Sequence, residues 1–324
     1  MSLRSVAEAP PLAEMLHLGR GVVPQRTGIE ERLHRADTLR ALDQLKNIPA
    51  LQSLARGFVQ ATGNAATPVS EIVEWVKKDS SLCVRILGMA NSAGVGAERR
   101  VEDLHGAVQM LGVLRIRRLA HAIFTLRDAQ RMAEGVDWRH LWVHALATAA
   151  LAEELERRLR PRGESQIYLA GLLHDVGKVV LSTIAPEIYR GILIDAWNGA
   201  GELEALERER LGVDHREAGT IFARHHKLPA LAIEAISHHA WPEDAVAHRL
   251  ETALVALANH LSKAHGLGFS GARLAADEPE FHELRTWKVV EAECGHAVDP
   301  FTIEMDLADF IAELRAELRE LHRG

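Results

Sequence analysis

The residues best equipped for chemistry lie in Tyr168-Leu-Ala-Gly-Leu-Leu-His174-Asp175-Val-Gly177-Lys178. Tyr168 to Leu173 read as a buried helical turn, so an imidazole and a carboxylate arrive together at an apolar end. A charged dyad there has to be paired, hydrogen-bonded or metal-bound to offset its desolvation. Gly177 reads as the point where the chain turns tightly, and Lys178 returns a cation beside the carboxylate. Two chemistries fit these residue types: a metal site with His174 and Asp175 as ligands, or a helix C-terminus closed by a polar cap.

The elements that must position this dyad are helices. Every long segment carries the 3.6-residue period and none alternates as a strand does, so the fold class is all-α. Ile48-Pro49-Ala50-Leu51 opens one helix, with Pro near the first turn where its missing N–H costs nothing. Pro68 begins another, with Ile72, Val73 and Val76 at helical spacing. Asp79 can cap a third, lined by Leu82, Ile86, Leu87 and Ala90 and stopped at Asn91-Ser92-Ala93-Gly94. Leu104, Val108 and Leu111 mark a fourth that ends at Gly112, before a helix from Leu114 to Leu126. The chain is 47% hydrophobic but only 5% aromatic, so its core is built from Leu, Ala, Val and Ile. Its 324 residues suffice for one large domain with extensions or for two domains.

Composition also excludes partners. A net charge of -7 argues against nucleic acid, because the phosphate backbone demands a local excess of Lys and Arg. Arg115, Arg117 and Arg118 form one basic cluster, read as a solvated helix face. Cys83 and Cys294, far apart, fit a reduced cytosolic protein without a disulfide framework. No charged-then-apolar leader and no run of 18 apolar residues is seen, so the expectation is a cytoplasmic chain with neither export nor a membrane span.

Seven pieces occur in a telling order: Ile48-Pro49-Ala50-Leu51; Asp79-Ser-Ser-Leu82; Ala90-Asn91-Ser92-Ala93; Ala107-Val-Gln-Met-Leu111-Gly112; Gly171-Leu-Leu-His174-Asp175-Val-Gly177-Lys178; His215-Arg-Glu-Ala-Gly219; and Leu228-Pro229 with His238-His239. Together they resemble the HDOD domain, the HD-related output domain of bacterial signalling proteins, over about residues 41–246. The resemblance implies a two-lobed helical domain, with a helical bundle at 41–135 and an HD-like lobe at 136–262 related to metal phosphohydrolases. Residues 1–40 are then an N-terminal extension and 263–324 a C-terminal helical extension. Members of the family are mostly regulatory, and many have lost the metal ligands of their enzymatic relatives.

This chain keeps most of those ligands: the resemblance implies His144, His174, Asp175, His215, His238 and His239. On a helix from Trp138 to Leu159, His144 falls within the stripe of Leu141, Ala145, Thr148, Leu151, Ala152 and Leu155, and points inward. Taken alone, that is equally the position of a satisfied core histidine. His215 follows Asp214, and Asp214-x-x-Glu217 reads as a capping box that puts His215 in a first helical turn on the side of Gly219 and Phe222. His238 and His239 end a helix begun by Pro229, with His239 on the face of Ala232 and Ile236. Neighbouring helical side chains diverge by about 100°, so the two are not a facing chelate for one ion. A His-rich set with a single carboxylate suits Fe, Mn or Zn rather than Ca or Mg. Where the enzymatic pattern has a final Asp, this chain has Asn259, which removes a negative charge and weakens the hold on a divalent cation. Helical phase offers His260, beside the Leu250, Ala253 and Leu257 stripe, as the other candidate. His238-His239-Ala-Trp241-Pro242 lacks the Gly-Tyr-Pro element of the related cyclic-di-GMP phosphodiesterases, and His226 stands where the family tends to carry Trp.

Beyond residue 246 the resemblance fades. A helix from Leu250 to Leu261 completes the metal lobe, Gly266 to Pro279 is a loop, and Asp299-Pro300 precedes a final helix. Leu307, Ile311, Leu314, Leu318 and Leu321 form a short 4-3-4-3 seam, which either packs on its own chain or pairs two chains as a homodimer. Two functions follow. One is a non-catalytic signalling module that senses a ligand or binds a protein partner between its lobes. The other is a metal-dependent phosphohydrolase acting on a nucleotide or phosphodiester, with Lys178 near the phosphate.

Overall fold

The computed structural model describes residues 32–44, 138–160, 167–271 and 278–322, with isolated positions at 16, 106–107, 110, 112 and 136. The predicted bundle lobe at 41–135, with its basic cluster and most of its motifs, lies almost wholly outside the described residues. Everything regular among the described residues is helical, as the periodicity requires. The central element is the 21-residue helix α2 (Arg139–Leu159), preceded by α1 (Arg35–Gln44) in the chain. Nearly the whole circumference of α2 is buried, which a helix tolerates only when other elements surround it. Helices α3 (Ile167–Leu173) and α9 (Arg249–Ala264) pack along it, and α12 (Ala308–His322) covers a further side.

His174 and Asp175 are the two-residue break between α3 and α4 (Val176–Ile184). After α5 (Pro186–Trp197) and α6 (Leu203–Leu211), α7 (His215–His225) packs across α4, and α8 (Ala230–His238) closes on both α7 and α3. The α4–α7 crossing is made by two glycines. A methyl group on Gly177 would lie 1.7 Å from the His215 carbonyl oxygen, and one on Gly219 would lie 2.8 Å from Ile236 Cγ2 and 3.1 Å from Gly177 N. Gly177 is therefore not the tight turn expected of it: it sits inside α4 and serves close helix packing. Asp214 accepts from Glu217 N at 2.9 Å, but the Glu217 side chain turns to Arg35 instead, so only half of the expected capping box forms.

Helix α1 spans residue 40, the expected end of the N-terminal extension, and is bonded to the end of α6 and the start of α7. Arg35 bonds the Gly212 carbonyl and Glu217, Thr38 Oγ1 donates to Leu211 O at 2.7 Å, and Leu33 N donates to Arg210 O at 2.8 Å. Gly212 ends α6 with φ +70° and leaves room for no side chain against Arg35, two reasons for glycine at one position. At the other end α10 (Trp287–Cys294) packs on α9, and the expected final helix is two, α11 (Pro300–Asp306) and α12, breaking at Leu307. Leu307, Ile311, Leu314 and Leu318 are all buried in their own chain. The Leu321 side chain lies outside the described residues. Among the described residues one span, Ile167–Ile184, matches a membrane helix in length and apolarity; it is 89% buried and is interrupted by the dyad.

Candidate metal centre

Four elements converge on one carboxylate. Asp175 lies at the α3–α4 break, His174 beside it, His144 on α2, His215 at the start of α7 and His239 just past α8. All are buried. His174 Nε2 is 3.3 Å from Asp175 Oδ2 and His144 Nε2 3.9 Å from it, while His215 Nε2 and His239 Nε2 stand 3.5 and 3.6 Å from Oδ1. The donors thus form two groups that share Asp175, one with His144 and His174 and one with His215 and His239.

The ring orientations are held from behind. His174 Nδ1 donates to Gly171 O at 2.7 Å, His239 Nδ1 lies 3.1 and 3.2 Å from the carbonyls of Ala235 and Ile236, and His215 Nδ1 is 2.7 Å from Glu207 Oε2. With Nδ1 as the donor, each Nε2 is left with its lone pair facing the space beside Asp175, where an ion and not the carboxylate itself would receive it. His144 differs: its Nε2 lies 3.0 Å from Asn259 Oδ1 and donates to it when it carries the proton, and it offers a lone pair to an ion only in the tautomer with the proton on Nδ1. Lys178 Nζ donates to Asp175 Oδ2 at 2.7 Å and to Ser270 O at 2.8 Å, so its ammonium is engaged inside the protein.

Electrostatics follow from this crowding. Burial alone would raise the Asp175 carboxyl, but Lys178, His174 and His215 hold it well below the usual range. Burial, then repulsion from His174, pushes His144 and His239 well below an ordinary imidazole. Burial opposes protonation of His215 too, but Glu207 outweighs it and raises that group.

These residues fit a transition-metal ion. Ligand atoms around one ion at about 2.1 Å stand roughly 3–3.5 Å from one another; His174, His215 and His239 stand 3.3, 3.5 and 3.6 Å from Asp175, and His144 stands wider at 3.9 Å. His174 Nε2, Asp175 Oδ1 and His215 Nε2 are buried without a hydrogen-bond partner, a costly state for polar atoms that an ion would relieve. Asn259 Oδ1 borders the same space and adds an oxygen, but no charge.

Two of the expected ligands are elsewhere. His238 is half-buried at the end of α8 and belongs to neither group, because the 100° step that brings His239 inward carries its neighbour out. His260 faces Glu278, 3.8 Å away, and the Phe281 ring, so of the two candidates it is Asn259 that borders the cluster. Sequence reading missed Glu207, Tyr189 and Ser270. Glu207 had a signal: Leu203, Glu207 and Leu211 lie at i, i+4 and i+8 on the face that α6 buries. Ser270 had none, since its carbonyl acts from a loop.

Comparison with known proteins places this geometry. Among solved structures, an HDOD domain protein of unknown function from Geobacter sulfurreducens matches with a TM-score of 0.69, at 21% identity over 88% of this chain and 98% of that one. A candidate phosphohydrolase from Shewanella amazonensis SB2B matches with a TM-score of 0.60, at 23% identity over 89% of this chain and 99% of that one. A candidate signal transduction protein from Marinobacter aquaeolei VT8 gives 0.59, at 21% identity over 89% of this chain and 64% of that one. An uncharacterised protein of Treponema pallidum (strain Nichols) is 26% identical over 246 residues, 75% of this chain, which spans only 47% of that relative's length. The HDOD domain family model matches residues 48–242, more than half of the chain and inclusive of His144, His174, Asp175, His215 and His239. With helices throughout the described residues and the dyad at the α3–α4 break, the chain belongs to the HDOD family.

Proposed function

We propose that this protein is a regulatory signalling module whose buried cluster holds Fe, Mn or Zn and whose output is an interaction with a protein partner. The observation that carries this reading is Asn259: a neutral amide touches His144 where a hydrolase of this kind would place a carboxylate. The engagement of Lys178 supports it, since two of the three N–H groups of that ammonium already have Asp175 and Ser270 as acceptors. A phosphohydrolase is the second reading, favoured by the single carboxylate shared between two ligand groups, the layout of two-metal sites. When bound, a divalent ion there would polarise a phosphoryl oxygen. Elemental analysis of protein purified without added metal, combined with turnover assays on generic phosphodiesters and nucleotides, tests the choice. The regulatory reading expects near-stoichiometric Fe, Mn or Zn with little or no hydrolysis; robust wild-type hydrolysis that disappears in His174→Ala would overturn it in favour of the enzyme.

A further inference from the structure

We infer that Glu207, steadied by Tyr189, is a positioning residue that fixes which nitrogen of His215 faces the centre, and where. This rests on the metal-site reading above. Glu207 and Tyr189 are both fully buried. Glu207 Oε2 accepts from His215 Nδ1 at 2.7 Å and from the His215 main-chain N at 2.9 Å, so one carboxylate holds the ring and the backbone of the same residue. Oε1 accepts from the Tyr189 hydroxyl at 2.8 Å, which stops the carboxylate from rotating. No Lys or Arg pairs with Glu207 among the described residues, an expense in desolvation that simple packing does not justify.

The need for this brace follows from where His215 stands. His174 and His239 point Nδ1 at carbonyls three or four residues earlier, Gly171 for the one and Ala235 and Ile236 for the other, which the preceding helix supplies. His215 is the first residue of α7, so it has no such helix behind it. The carbonyls three and four residues back, Gly212 and Leu211, accept instead from Arg35 and Thr38 of α1. The orientation has to come from another element, and α6 supplies it through Glu207. A carboxylate also makes the bonded imidazole a stronger donor to an ion than a carbonyl does.

The experiment compares wild type with Glu207→Gln, which keeps the shape and removes the charge, and with Tyr189→Phe. Zinc affinity is measured by competition with a chromophoric chelator, imidazole ligation by zinc-edge X-ray absorption, and unfolding on the metal-free proteins. Zinc binding is expected to weaken about 10–100-fold in Glu207→Gln and less in Tyr189→Phe, with one fewer imidazole per zinc and a metal-free melting curve close to wild type. Equal zinc affinity in wild type and Glu207→Gln overturns the inference, and so does a metal-free melting point that falls in step with affinity, which marks a merely structural residue. If wild type takes up no zinc, the metal-site reading fails by itself. The positioning role is then judged on the metal-free proteins, where the 15N signals of His215, identified by their loss in His215→Gln, must change in Glu207→Gln; unchanged signals overturn it.

Discussion

Asp175 ties the chemistry to single residues, because four imidazoles and one ammonium surround its two oxygens. Removing it, or His174, deletes a donor that touches the ion directly, so His174→Ala and Asp175→Ala are each expected to abolish bound metal, as read by elemental analysis. Asn259→Asp tests the missing charge from the opposite side: restoring a carboxylate beside His144 is expected to raise metal affinity, and an unchanged affinity would show that the amide is not the limiting feature. His265 lies outside the centre and allows a pH prediction. Burial, then Arg315, lowers it from 6.5 to about 4. Because the unfolded chain takes up that proton at higher pH than the folded one, stability is full above 6.5, falls as pH drops toward 4, and levels off below. The loss is about 3 kcal/mol at most. Urea unfolding of metal-free protein across this window, with His265→Gln as comparison, should show a shallower pH slope in the variant.

Helices meet at contacts that depend on the absence of a side chain or on an apolar stripe. Gly177 lets α4 lie on the first turn of α7, which is what brings Asp175 within 3.5 Å of His215. A methyl group there overlaps backbone that cannot rotate away, so Gly177→Ala is expected to cost about 1–3 kcal/mol or more and to weaken metal binding as well. Calorimetry together with metal content would separate that double effect from a purely local one. The C-terminal stripe is apolar for a different reason. Leu307, Ile311, Leu314 and Leu318 are buried in their own chain, where each fully buried side chain contributes about 1.5–3 kcal/mol. Truncation after residue 300 is therefore expected to lower the melting temperature markedly without altering the oligomeric state read by light scattering. Leu314→Glu should likewise destabilise the chain; a folded monomer obtained from a stable wild-type dimer would instead assign the seam to self-association.

At the scale of the molecule, segments that flank the family match pack on the described helices within it. Helix α1 bonds the connector between α6 and α7, and α12 covers α2. The connector holds the residues just before His215, so α1 and the centre share a support. Arg35→Ala with Thr38→Ala is expected to reduce stability by about 1–3 kcal/mol, since one change leaves the Gly212 carbonyl in the connector and the other the Leu211 carbonyl at the end of α6 without its donor. An unaltered unfolding curve would make α1 the appendage that residues 1–40 suggested.

Helical class, the inward direction of His144, the helix start at Asp214 and the dyad at a helix break were all legible in the sequence, because period, capping chemistry and the position of charge in an apolar run are local properties. The order of motifs carried the family as well. What tertiary structure alone decided is which member of each neighbouring pair enters the centre. His239 rather than His238, and Asn259 rather than His260, are set by how α8 and α9 are rotated against α2 and α3, a global packing solution that no local window contains. Gly177 looked like a turn because sequence registers a missing side chain but not the carbonyl of His215 pressed against it. Lys178 read as a cation near the carboxylate, and only the loop carrying Ser270, 92 residues away, reveals a second acceptor for its ammonium. Long-range contacts of this kind are formed by loop closure and side-chain interlock, and they take shape only when the whole core is assembled.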